Sequence, residues 1–109
     1  MITSMCMYRV KAGSEVPFRK LLARHWPTLL RVGLAADEPS VIYEGAEEHG
    51  APLFVELLNW KDDEGPRIAH QVPEVMSVWE PMGMLCEARD GRPAMEFPHV
   101  RRIEIPFER

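Results

Sequence analysis

Between Met5 and Val10 the chain is a short apolar and aromatic run closed by KAGS, a pattern that predicts a first strand. From Phe18 the apolar positions change to helical spacing. Phe18, Leu21, Leu22, His25, Leu29 and Val32 fall on one stripe; Ser14 is placed to cap it, Glu15 and Pro17 suit its first turn, and Gly33 offers a stop. Pro27 stands inside that stripe, where its ring and missing N–H predict a kink.

PSVIYEGAEE and APLFVELLNW then read as two strands of a hairpin joined through HG. If His49 and Gly50 form a two-residue loop, Tyr43 faces Glu56 and Val41 faces Leu58. One face of the hairpin then carries Tyr43, Phe54, Glu56, Leu58 and Trp60, and the other carries Ile42, Glu44, Leu53, Val55, Leu57 and Asn59. A loop of odd length would shift the register by one and undo the Tyr43–Glu56 pair. Beyond KDDEGPR, the residues Ile68, Ala69, Val72, Val75, Met76, Trp79 and Met82 give a second helical stripe, divided at Pro73. After a Pro- and Gly-containing connection, HVRRIEI alternates and predicts a last strand.

The order is therefore βαββαβ. Paired as two βαβ halves, it predicts an α+β ferredoxin-like sandwich: a four-stranded antiparallel sheet with two helices on one face. The other sheet face is left bare, whether it carries Phe54, Leu58 and Trp60 or the alternative set Leu53, Val55 and Leu57. A soluble chain covers so large an apolar patch most simply with a second copy, so the expectation is a homodimer that closes into an α+β barrel.

Composition narrows the function classes. With 109 residues, 46% hydrophobic and 28% charged, the chain is expected to form one domain over 1–109, and its formal net charge of -4 speaks against nucleic acid as a partner. It has no charged-then-apolar leader and no apolar run long enough for a bilayer, so no membrane role and a cytoplasmic setting are expected. Cys6 and Cys86 lack metal-ligand spacing, and His25, His49, His70 and His99 stand far apart, so no metal site is predicted.

The size, the element order and the segments HWPTLLRVGL, VELLNW and PEVMSVWEPM resemble the dimeric α+β barrel superfamily, in particular its antibiotic biosynthesis monooxygenase-like branch, over roughly Met5 to Ile105. The resemblance implies oxidation of polycyclic aromatic substrates with no metal or flavin cofactor, the substrate anion being held beside oxygen in an apolar cavity between sheet and helices. Haem-degrading relatives place an asparagine on the first strand, and this chain has none there.

Such chemistry asks for a base or hydrogen-bond partner, a dry pocket and aromatic walls. His25 lies on the first stripe and points at the sheet, either as a satisfied core histidine or as a cavity base. His70 flanks the second stripe. Glu56, among Phe54, Leu58 and Trp60, is expected to have its pKa raised by desolvation unless Tyr43 or another donor stabilises it; the same pair also reads as a structural hydrogen bond. Catalytic candidates are thus His25, Glu56, Tyr43 and His70, and substrate-contact candidates are Trp26, Asn59, Trp60 and Trp79, each aromatic also being a packing candidate. The expected function is a cofactor-independent, monooxygenase-like enzyme acting on a small aromatic or polyketide-like ligand. A non-catalytic ligand-binding barrel and a solidly packed dimer are the alternatives.

Overall fold

The computed structural model describes residues 2–109. Its central strand, β1 (Thr3–Arg9), is followed by α1 (Glu15–Arg31), by β2 (Val41–Ala46) and β3 (Pro52–Asn59), by the helices α2 (Gly65–Ala69) and α3 (Pro73–Met84), and by two short strands, β4 (Met95–Glu96) and β5 (His99–Val100). The strands form one antiparallel sheet in the order β2-β3-β1-β4, with β5 also on β1. This is the ferredoxin-like α+β arrangement.

Strict alternation decides which residues each sheet face receives. Ser4, Cys6 and Tyr8 on β1 and Phe54, Glu56 and Leu58 on β3 are buried, while their intervening neighbours are half-buried. On the buried side α1 contributes Phe18, Leu22, His25 and Leu29, and α3 contributes Val75, Val78 and Met82, to one continuous core. Phe18 bridges the layers, with ring centroids 5.0 Å from Tyr8 and 5.1 Å from Phe54.

Local signals behave mostly as their chemistry requires. Gly33, at φ 82°, ends the passage out of α1, and Pro73 separates α2 from α3. Ser14 occupies the cap position of α1, yet its hydroxyl makes no capping bond; the Glu15 carboxylate instead accepts from the Gly13 N–H at 2.6 Å. The helix runs through Pro27 to Arg31.

The hairpin register departs from the two-residue expectation. The turn is Glu48–Gly50, with His49 at φ 69° and Gly50 at φ 84°, and the Glu47 N–H reaches the Ala51 carbonyl at 2.8 Å. An odd-length turn shifts the ladder by one, so Val41 faces Leu57, Ile42 faces Glu56 and Tyr43 faces Val55. Tyr43 is consequently on the sheet face away from the helices, 61% exposed, and the Tyr43–Glu56 pair does not form.

The predicted last strand is shorter and earlier than HVRRIEI. The pairs of β4 (Met7 with Glu96, Tyr8 with Met95) and of β5 (Thr3 with Val100, Ser4 with His99) share one register, so the two are a single strand interrupted at Phe97–Pro98. Residues 101–109 lie outside the sheet and are exposed. At the other end of β1 the buried Arg9 guanidinium joins the Glu96 carboxylate at 2.8 Å, the Glu47 carboxylate at 3.4 Å and the Pro93 carbonyl at 2.7 Å, tying the hairpin turn to the last strand.

Gly65, at the start of α2, packs directly on the Trp60 indole, and a Cβ there would sit 2.6 Å from Trp60 Cε3. Gly65→Ala should therefore cost about 1–3 kcal/mol through overpacking, read as a lowered urea midpoint with an unchanged slope.

Candidate functional site

Glu56 is fully buried in the middle of β3, and a carboxylate there is tolerated only if hydrogen bonds replace its lost water. Three side chains from separate elements supply them. Tyr8 of β1 donates its hydroxyl to Oε1 at 2.7 Å, His25 of α1 brings Nδ1 to the same oxygen at 2.8 Å, and Ser40, just before β2, donates to Oε2 at 2.8 Å. Burial alone would raise the pKa of Glu56; the bonds from His25, Tyr8 and Ser40 outweigh it and hold the carboxyl below its usual value.

The geometry also fixes the state of His25. Trp79 of α3 directs its indole N–H at His25 Nε2 over 2.8 Å. An indole nitrogen can only donate, so Nε2 accepts and carries no proton. The proton of the neutral ring is then on Nδ1, where it points at Glu56. The result is a chain, Trp79 to His25 to Glu56, with Tyr8 and Ser40 completing the carboxylate's shell.

This chain borders a cavity of about 410 Å³ between the sheet and α2 and α3, a volume suited to a compact ligand. Its inner wall is Cys6, Tyr8 and His25, with Leu58 and Trp60 beside them; Met76, Trp79 and Met82 form the helical side. Met95, Phe97 and His99 close the third side from the interrupted last strand, and His70 and Glu80 stand exposed at the rim. Methionine and aromatic walls favour a flat, polarisable ligand.

The buried groups of the inner wall differ in what they can do with a proton. Burial pushes the Cys6 thiol up to about 12, reinforced by the negative charge of Glu56, so it stays an inert thiol. Burial and the same charge raise Tyr8 well above its ordinary value, leaving the phenol as a donor. Glu56 itself does not line the cavity. The remaining buried basic atom at the wall is His25 Nε2, beneath Trp79.

Of the residues singled out from sequence, His25, His70, Trp60 and Trp79 line the cavity, and Glu56 lies directly behind it. His70 packs edge-on against Trp79, ring centroids 4.9 Å apart. Trp60 donates to Ser4 Oγ at 2.8 Å. Trp26 is outside, donating to the Ala36 carbonyl at 3.1 Å; Asn59 is on the other sheet face, where it accepts from Thr3 at 2.5 Å; and Tyr43 faces away. Sequence reasoning did not single out Tyr8, Ser40 or Cys6, nor the wall residues Phe97 and His99. Tyr8 and Cys6 were identifiable as one face of a strand, but the pairing that puts Cys6 opposite Glu56 is non-local.

Among the described residues, no group of three or more His, Cys, Asp or Glu is arranged to hold a metal, and no helix is long and apolar enough to cross a membrane.

No family model matches the sequence, and no curated protein matches it. Solved structures do match in fold. One is an antibiotic biosynthesis monooxygenase, at TM-score 0.69 and 9% identity, covering 95% of this chain and 100% of that one. Another is a mutant of SnoaB, a cofactor-independent oxygenase from Streptomyces nogalater, at TM-score 0.63 and 15% identity, covering 98% and 97%. A third is an uncharacterised NIPSNAP domain protein from Burkholderia xenovorans, at TM-score 0.59 and 12% identity, covering 99% and 100%. The chain thus shares its fold with solved antibiotic biosynthesis monooxygenase structures.

Because the native pKa of Glu56 is depressed, its contribution to stability is present above the ordinary carboxyl value of 4.5 and is lost as the pH falls through the lower native value. Urea midpoints measured against pH should show this acid limb in the wild type and a flatter one in Glu56→Gln. Imidazole nitrogen NMR should show His25 protonated on Nδ1 and bare on Nε2.

Proposed function

We propose that the chain binds a small, flat, mainly apolar hydroxyaromatic molecule in this cavity and oxygenates it without a bound cofactor, with His25 as the proton acceptor. The observation that carries the reading is His25 Nε2, an unprotonated nitrogen at an apolar cavity wall whose opposite nitrogen is anchored on a buried carboxylate. When Trp79 turns aside, Nε2 takes a proton from an acidic C–H or hydroxyl of the ligand, and Glu56 stabilises the imidazolium that forms. The dry methionine and aromatic walls give the ligand anion little solvation, which favours its transfer of electrons to dioxygen. In the balanced reaction a ring CH₂ and O₂ become a carbonyl and water: one oxygen atom stays in the product and the other leaves with the two hydrogens. The oxygenase activity of the SnoaB relative supports the same chemistry.

A binding module without turnover is the second reading. It is favoured by Trp79 already occupying Nε2, which leaves the polar chain satisfied as it stands.

Dioxygen uptake and quinone absorbance with 1,8-dihydroxyanthrone as the probe separate the two. The oxygenase reading expects turnover by the wild type, reduced about 10²–10⁴-fold in His25→Ala and His25→Gln with binding retained. Quenching of tryptophan fluorescence by the probe, with no oxygen uptake above the protein-free rate, would establish the binding module instead. Absence of both signals would overturn the aromatic ligand.

A further inference from the structure

The inner wall of the cavity is polar at few points, and at all but one of them the donor hydrogen is already placed. Tyr8 gives its hydroxyl to Glu56, His25 its Nδ1–H to the same carboxylate, and Trp79 its indole N–H to His25. The Cys6 thiol points at the Ser4 carbonyl, at 3.9 Å, and Trp60 donates to Ser4 Oγ at 2.8 Å. An indole N–H can only donate, so Ser4 Oγ accepts there and its own hydrogen is turned elsewhere. Among the described residues that hydrogen meets no acceptor, although Ser4 is only 3% exposed.

Ser4 lines the cavity from the inward side of β1, between its cross-strand neighbours Leu58 and His99, which line it too. Cys6, the next inward residue, is about 7 Å further along the strand and stands opposite Glu56, the anchor of His25. The free hydroxyl hydrogen and the bare Nε2 of His25 are therefore separate points on one apolar wall, the first a donor and the second an acceptor. An unpaired donor beside a dry surface is unfavourable, so the wall favours a ligand that brings an acceptor to it. The Trp60 bond sharpens that preference, because a hydroxyl that accepts one hydrogen bond donates the next more strongly.

We propose that Ser4 is a specificity-determining residue of this cavity, donating its hydroxyl hydrogen to an oxygen of the ligand while Trp60 holds it in place. The contact selects ring systems that carry a carbonyl or other oxygen acceptor, and it fixes which edge of the ring meets His25. Its chemical step rests on the oxygenase reading; the contact itself needs only a ligand in the cavity. As the ligand's C–H bond breaks, the proton passes to Nε2 and the electron pair spreads from the ring carbon to the held oxygen. Ser4 keeps its own proton, and its hydrogen bond strengthens with the charge it meets.

The test uses two flat probes, anthrone and 9,10-dihydroanthracene, the second being the same skeleton without the oxygen. Each is titrated under nitrogen by quenching of tryptophan fluorescence. Ser4→Ala should weaken anthrone about 10-fold and leave 9,10-dihydroanthracene within about twofold, while Ser4→Thr, which keeps the hydroxyl, should hold anthrone as the wild type does. Under air, kcat for oxygen uptake with anthrone should fall about 10²-fold in Ser4→Ala and persist in Ser4→Thr. Because Ser4→Ala also strips the Trp60 N–H of its acceptor, a measurement on the unaltered protein stands beside it: the infrared carbonyl band of bound anthrone should lie at lower wavenumber than in cyclohexane. Equal weakening of both probes would show that Ser4 only supports Trp60 and would overturn the proposal, as would unchanged anthrone affinity or an unshifted carbonyl band. Selective loss of anthrone with no oxygen uptake by any form keeps the Ser4 contact and removes the oxygenase reading. Oxygen uptake at the same rate in wild type and Ser4→Ala does the reverse, and failure of both probes to bind overturns both.

Discussion

A carboxylate without water in the centre of a sheet has to be surrounded by donors, and Glu56 finds its three from three different parts of the chain. Each hydrogen bond to a charged group contributes about 1.5–3 kcal/mol, and an unpaired buried charge would cost more than any one of them returns. The requirement therefore reaches well beyond one residue. It fixes the inward phase of β3, sets Tyr8 of β1 beside it, places the turn of α1 that carries His25, and positions Ser40 ahead of β2. Through His25 it extends to Trp79, so that α3 is oriented by a hydrogen bond as well as by the packing of Val75, Val78 and Met82.

That shell also decides what the cavity can do. It holds the buried carboxylate ionised but saturated, keeps the phenol and the thiol protonated, and presents one buried imidazole nitrogen at the inner wall. The nitrogen is reached by moving one indole, and that indole is itself a cavity wall touched by His70 at the rim. On the proposed function, ligand entry and exposure of Nε2 are therefore coupled through Trp79. A fully paired polar group is well suited to rigid support, and the same pairing gives the imidazole a fixed tautomer from which to act.

Much of the architecture was readable from local patterns. The helical stripe of Phe18 to Val32, the break at Pro73 and the hairpin between Val41 and Asn59 each follow from short-range periodicity and turn chemistry, as does the inward position of His25. The reading went astray where one residue of register matters. HG supports a two-residue loop on local grounds, but Glu48 joins the turn, and that single residue sends Tyr43 to the opposite face and brings Ile42 level with Glu56. The donor role assigned to Tyr43 is filled by Tyr8, a residue of the same type on another strand. RRIEI alternates as a strand does, yet it has no neighbour within the chain to pair with, since alternation describes a segment and pairing requires a second one.

The sequence by itself determined the element order, the split of each strand into an inward and an outward set, and the residue types from which a site could be built, because these depend on neighbours within a few positions. Only the tertiary structure decided that Tyr8, His25 and Ser40 converge on Glu56, that Trp79 fixes the histidine tautomer, and that Trp26 and Asn59 lie elsewhere. Those outcomes depend on the register of β1 against β3, on the seating of α1 and α3 over them, and on side chains separated by 16 to 54 residues along the chain meeting within hydrogen-bond distance. No local preference encodes such distances. They are set by the whole core finding the arrangement in which its apolar surface and its buried carboxylate are satisfied together.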